Sequence, residues 1–178
     1  RHGVAEEAEP VDDAGALAAL GAKDPAAFVV VPNGTHLPDQ VPDAATRTAR
    51  SARWRHHYWA AGSMERRPDH LAVFFGSWHP PNVDAAELLI ELAPSLDGVL
   101  VLAVGRHGDA LRHRPIPPNL VFTGAVSEGA KHRLLGAADV ALNPMRIGSG
   151  TNLKLLEYLA CGIPVVSTSG GAAGIDCA

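Results

Sequence analysis

Residues 143–168 hold the densest set of groups able to do chemistry. Gly148 and Gly150 flank Ser149, and Thr151, Asn152, Lys154 and Glu157 follow. Glycines let backbone approach a ligand closely and adopt positive φ. The first turn of a helix has N–H groups without intrahelical partners, and its dipole favours an anion. With Thr151 and Asn152, the two glycines would therefore present N–H groups to a diphosphate. Lys154 could neutralise a phosphate or bond a sugar oxygen. Glu157, three residues on, lies on roughly the same helix face. The set suits a nucleoside diphosphate carrying a hydroxyl-rich sugar.

Elements must hold these groups in place. From His70 onward, near-continuous apolar runs alternate with helical segments. Strands are expected over residues 71–75, 99–104, 120–123, 140–142 and 164–167. Helices are expected over 83–92 with Asn82 as its cap, from a Ser127 cap to about Ala138, and over 152–159. This pattern predicts an α/β fold: a doubly wound, Rossmann-like parallel sheet covered on both faces, with ligands bound beyond the carboxyl ends of its strands. Gly76, Gly105, Gly124 and Gly148 all fall at such ends. Upstream, residues 14–22 could form a short helix, and a β-branched run from Phe28 to Val31 ends at Pro32-Asn33-Gly34. Residues 35–68 read as linker with one helix around 44–58. The expected division is a partial N-terminal remnant and interdomain linker over 1–68, then a Rossmann-like domain over 69–178 truncated at its C-terminal end. The chain starts at Arg1 and stops at Ala178 after a Gly-rich turn, which reads as a piece of a longer protein.

Composition narrows the class. A chain of 178 residues with 47% apolar content and net charge −4 is ordinary for one globular domain. Without a long basic run, sequence-independent nucleic-acid binding is not suggested. No stretch nears about 18 unbroken apolar residues, the length a membrane span needs. Cys161 and Cys177 form no metal or redox spacing, and Cys161 reads as a small apolar residue. A cytoplasmic, reducing compartment fits. The nine histidines show no ligand spacing, so no metal site is expected. His79 could face the cleft, and Asp139 reads as a turn residue rather than a catalytic one.

Several segments match a known pattern in order. They are Val31-Pro32-Asn33-Gly34, Phe74-Phe75-Gly76-Ser77 with Pro81-Asn82-Val83-Asp84, Leu102-Ala103-Val104-Gly105-Arg106, Asn119-Leu120-Val121-Phe122-Thr123-Gly124, Ala137-Ala138-Asp139-Val140, and the long run from Asn143 to Thr168. Together they resemble the C-terminal, nucleotide-sugar-binding half of GT-B glycosyltransferases, specifically the large retaining family 4, over about residues 28–176. In that family two glutamates stand in a Glu-x7-Glu pattern. The resemblance puts the second on Glu157, which would hydrogen-bond the ribose hydroxyls; a carboxylate can accept from two vicinal hydroxyls at once. The first, near the donor sugar, falls on Ser149, which can hydrogen-bond a sugar hydroxyl or a phosphate but carries no charge. Many relatives follow the glycine at position 76 with an arginine and then a lysine, both on phosphate. Here Ser77 and Pro80-Pro81-Asn82 stand there instead, leaving Arg106 and Arg146 as candidate cations. The backbone of Ala125 and Val126 would read the base edge.

The resemblance implies transfer of a hexosyl-type sugar from a nucleoside diphosphate sugar to an acceptor hydroxyl, with retention and without a cofactor. The acceptor (glycan, lipid-linked or small molecule) is left open, as is peripheral attachment to a membrane. Catalytic groups would come largely from the missing N-terminal domain. The isolated piece is thus expected to bind nucleotide weakly and not to turn over. An alternative is a non-catalytic nucleotide- or ligand-binding α/β module. A dehydrogenase would want Gly-x-Gly-x-x-Gly after the first strand, where the chain has Gly76-Ser77-Trp78-His79-Pro80.

Overall fold

The computed structural model describes residues 34–62, 64–146 and 152–175. Five strands form one parallel sheet: β1 (His70–Phe75), β2 (Val99–Val104), β3 (Leu120–Gly124), β4 (Val140–Asn143) and β5 (Val165–Ser167). Their order is β3-β2-β1-β4-β5, every pairing parallel. The strands lie where the apolar runs place them. The runs are continuous because both faces are covered. Leu71, Val73, Phe75, Leu100, Leu102 and Val104 feed one core, while Ala72, Phe74, Val101 and Ala103 feed the other.

The helices are α1 (Ala44–Ala60), α2 (Pro80–Leu92), α3 (Glu128–Leu135), α4 (Leu153–Ala160) and a short α5 (Ser169–Ala172). Ala85, Ala86, Leu89 and Ile90 of α2 cover the Ala72/Phe74 face. Leu134 and Leu135 of α3 and Tyr158 of α4 cover the other, where Trp54 and Tyr58 of α1 also pack.

Two expected boundaries move. α2 starts at Pro80, with His79 as N-cap and no side-chain capping bond. The two prolines take the first helical positions, where a missing N–H leaves nothing unpaired. Asn82 is therefore not the cap but a buried residue within the first turn. α3 stops at Leu135 rather than near Ala138, with Gly136 at its C-cap. Its start is as expected: the Ser127 hydroxyl accepts from Ala130 N–H at 3.3 Å.

α1 is tied to the sheet by polar bonds as well as by packing. The Arg47 guanidinium donates to the carbonyls of Leu135 (3.0 Å), Ala138 (3.1 Å) and Cys161 (2.8 Å), carbonyls at and just beyond the C-terminal ends of α3 and α4. Asp139, a turn residue as expected, accepts from the Ser51 hydroxyl at 2.6 Å and from Leu71 N–H at 2.8 Å. Cys161 is a half-buried free thiol packed against the core, its pKa raised by burial. Among the described residues, no helix is long and apolar enough to cross a membrane.

Candidate functional site

The sheet order makes β1 the point where the winding reverses: β1 leads through α2 to β2, and β4 leads through α4 to β5 on the opposite side. A crevice at the carboxyl ends of β1 and β4 follows from that topology. The two strands pair only through Ala72↔Val140 and Val73↔Ala141. Beyond that, Phe75 N–H donates to the Tyr158 hydroxyl at 2.8 Å. Burial raises the pKa of this hydroxyl, so it stays neutral and pins α4 to the end of β1.

Lys154 crosses this crevice. Its ammonium donates to Asn82 Oδ1 at 2.5 Å, lies 3.6 Å from Met145 Sδ and stands 4.6 Å from the centre of the Phe74 ring. Asn82 in turn donates through Nδ2 to the Ser77 hydroxyl at 3.1 Å. A cation from α4 thus reaches the loop after β1, the loop that lacks an arginine–lysine pair of its own. Burial pushes the Lys154 pKa down to about 8.

Gly76 lies between these groups and β2. Its N–H continues the ladder to Val104 O at 2.9 Å, and its carbonyl faces His107 Nδ1 at 2.8 Å. Gly105 passes close by with φ +127°; a Cβ there would lie 1.8 Å from Gly76 O, so only glycine fits. His107 is fully buried between Phe74 and Phe122, ring centres 5.1 and 5.8 Å away. Burial holds its pKa below the usual range. A neutral ring facing a carbonyl carries its proton on Nδ1, which makes His107 the donor.

Glu157 takes a separate partner. Lys131 of α3 approaches Glu157 Oε1 at 2.5 Å, and the two side chains are 25% and 24% exposed. The second carboxylate oxygen has no such ion pair among the described residues. At the start of α4, Asn152 Nδ2 donates to Asn143 Oδ1 at 3.2 Å. The buried Asn143 amide donates to Gly171 O at 2.8 Å and to the Ser167 hydroxyl at 3.2 Å. The Thr168 hydroxyl donates to Met145 O. These bonds anchor both flanks of the Gly-rich loop; Gly148, Ser149, Gly150 and Thr151 themselves lie outside the described residues.

The structure therefore gathers Gly76 and Lys154, through Asn82, with Asn152 at the head of the same helix. It does not bring Arg106 to them: that side chain is exposed and sits 3.5 Å from Asp109. Arg146 is exposed at the end of the β4 segment, and His79 is exposed at the head of α2. Ala125 and Val126 follow β3, exposed and half-buried. Beside them a cavity of about 650 Å³ is lined by Gly105, Gly108, Phe122, Thr123 and Gly124 among others. Asn82, His107, Lys131 and Tyr158 were not legible as site residues. Pro80-Pro81 was the one local signal, since it sets the helix start that turns Asn82 inward. Among the described residues, no group of three or more His, Cys, Asp or Glu could hold a metal ion.

A family model described as glycosyl transferases group 1 matches residues 69–176. Comparison with curated proteins found no match.

Proposed function

The chain belongs to the glycosyl transferases group 1 family, and we propose that it is the donor-binding half of a retaining, family 4-like enzyme. It is a C-terminal-like domain of a GT-B glycosyltransferase, with half of that fold. In our reading, residues 69–178 form the donor domain and 1–68 the remnant and linker. A nucleoside diphosphate sugar binds in the crevice between β1 and β4. Its diphosphate meets the Gly148–Asn152 amides, Gly76 and the Lys154 ammonium, with Arg146 and Arg106 as further cations. Glu157 accepts from the ribose hydroxyls, Ser149 lies toward the donor sugar, and the Ala125–Val126 backbone faces the base. The sugar passes to an acceptor hydroxyl. The protein's contribution is positioning and stabilisation of the departing diphosphate. The acceptor site and catalytic groups belong to the N-terminal domain, and the isolated domain would not turn over.

One observation carries this reading. Lys154 is a cation largely withdrawn from water, bonded to a neutral amide rather than to a carboxylate, at the switch point of a parallel sheet. Such a group is poised for an anion.

The test is Glu157→Ala in the full-length enzyme. Losing an acceptor for the ribose hydroxyls costs about 1.5–3 kcal/mol, roughly 10- to 150-fold in nucleotide affinity. Wild-type affinity and rate in the folded variant would reduce Glu157 to the partner of Lys131.

A further inference from the structure

We propose that His107 is a positioning residue for the diphosphate, acting through the Gly76–Ser77 peptide; this rests on the reading of the crevice as a nucleoside diphosphate site.

The ladder between β1 and β2 ends with Gly76 N–H on Val104 O. The next acceptor, Gly76 O, is taken by the imidazole, 2.8 Å away. The described peptides are all trans, so the Ser77 N–H points opposite to that carbonyl, away from His107. No described group accepts a hydrogen bond from it. Ser77 is exposed, and its hydroxyl connects through Asn82 to the Lys154 ammonium. His107 thereby fixes the plane of the Gly76–Ser77 peptide beside Asn82, the residue that carries the Lys154 ammonium, and leaves the Ser77 N–H as a donor in an exposed loop. Gly105 keeps the carbonyl's side of the peptide open, since any Cβ there would collide with Gly76 O.

The fold uses only one of the two ring nitrogens. The ring is fully buried, and Nε2 has no hydrogen-bond partner among the described residues. A buried polar group without a partner destabilises, but an apolar side chain in its place would in turn leave Gly76 O without its donor. The imidazole leaves one nitrogen unsatisfied while the other holds the carbonyl that orients the Gly76–Ser77 peptide at the crevice.

The experiment is calorimetric titration of the full-length enzyme with UDP, GDP and ADP in turn, alongside thermal melts. His107→Met, provided its melt shows it folded at the titration temperature, should bind the preferred diphosphate about tenfold or more weakly. His107→Asn, whose amide nitrogen sits where Nδ1 does, should recover most of the affinity. His107→Gln carries its amide farther out, toward the Nε2 position, and should not. That Asn–Gln pair decides the matter even if the Met variant fails to fold. Wild-type affinity in folded His107→Met, or equal affinity in the Asn and Gln variants, overturns the role of His107 alone. A wild-type enzyme that binds none of the three diphosphates overturns the site reading itself, and this inference with it.

Discussion

Lys154 carries an ammonium that its surroundings do little to keep charged. Its contacts are an amide oxygen, a thioether and a ring face, and burial brings its pKa from 10.5 to about 8. A phosphate in the crevice would supply the missing negative charge. Nucleoside diphosphate affinity should therefore fall as pH rises through about 8, with proton uptake on binding in that range. The stability consequence has the opposite sign. The unfolded chain holds this proton up to about pH 10.5 while the folded one releases it near 8, so the group opposes folding at pH 7 and this penalty fades between those values. Lys154→Met should remove the pH step near 8 and lower affinity about tenfold or more without lowering the melting temperature at pH 7. Titrations at pH 7 and 9 on both proteins check this. An unchanged pH step in the variant would assign the titration to another group.

Between elements, the polar ties matter more than their exposure suggests. Asp139 accepts from Leu71 N–H at the head of β1 and from Ser51 on α1 with the same oxygen. Asp139→Ala would leave a strand amide without an acceptor and the buried Ser51 hydroxyl with only the bond it accepts from Arg55, a loss of about 2–3 kcal/mol. The expected result is a lower urea midpoint with an unchanged slope, and unaltered nucleotide affinity. A midpoint within error of wild type would mean that water or a neighbouring group replaces the carboxylate. This element level also shows what a sequence can disclose. β1 and β2 are legible because each is buried on both faces, so period and composition agree. The head of α3 is legible because Ser127 caps it locally. The pairing of Lys131 with Glu157, and the reach of Lys154 to Asn82, are not. Each joins residues far apart in sequence, and nothing local distinguishes Lys131 from any solvated helix lysine. His107 was hidden differently: within Gly105-Arg106-His107-Gly108 it reads as part of a polar loop, and only the passage of β2 beside Gly76 turns it inward.

At the scale of the whole molecule, the family match begins at residue 69, yet the folded unit reaches further back. α1 places Trp54 and Tyr58 against the core shared by β1, β2, α3 and α4. Arg47 occupies carbonyls at and beyond the ends of two helices, and Ser51 is fully buried. These contacts couple α1 to the part of the sheet that frames the crevice. A segment that buries apolar surface and completes such bonds should unfold with the domain, because separating it would expose that surface and orphan those carbonyls together. Trp54 reports on this directly. The chain has three tryptophans, so the double substitution Trp59→Phe and Trp78→Phe leaves Trp54 as the lone fluorophore. Trp78 is 70% exposed and should tolerate the change. In urea, the Trp54 fluorescence transition should coincide with the loss of helical circular dichroism, in midpoint and in slope. A Trp54 transition at distinctly lower urea would make α1 a detachable strap. The crevice would then be held by residues 69–175 alone, and Arg47→Ala would leave the main transition where it is. Coincident transitions, with Arg47→Ala shifting both together, would make α1 part of the scaffold that sets the spacing of α3 and α4, and with it the distance between Lys131 and Glu157.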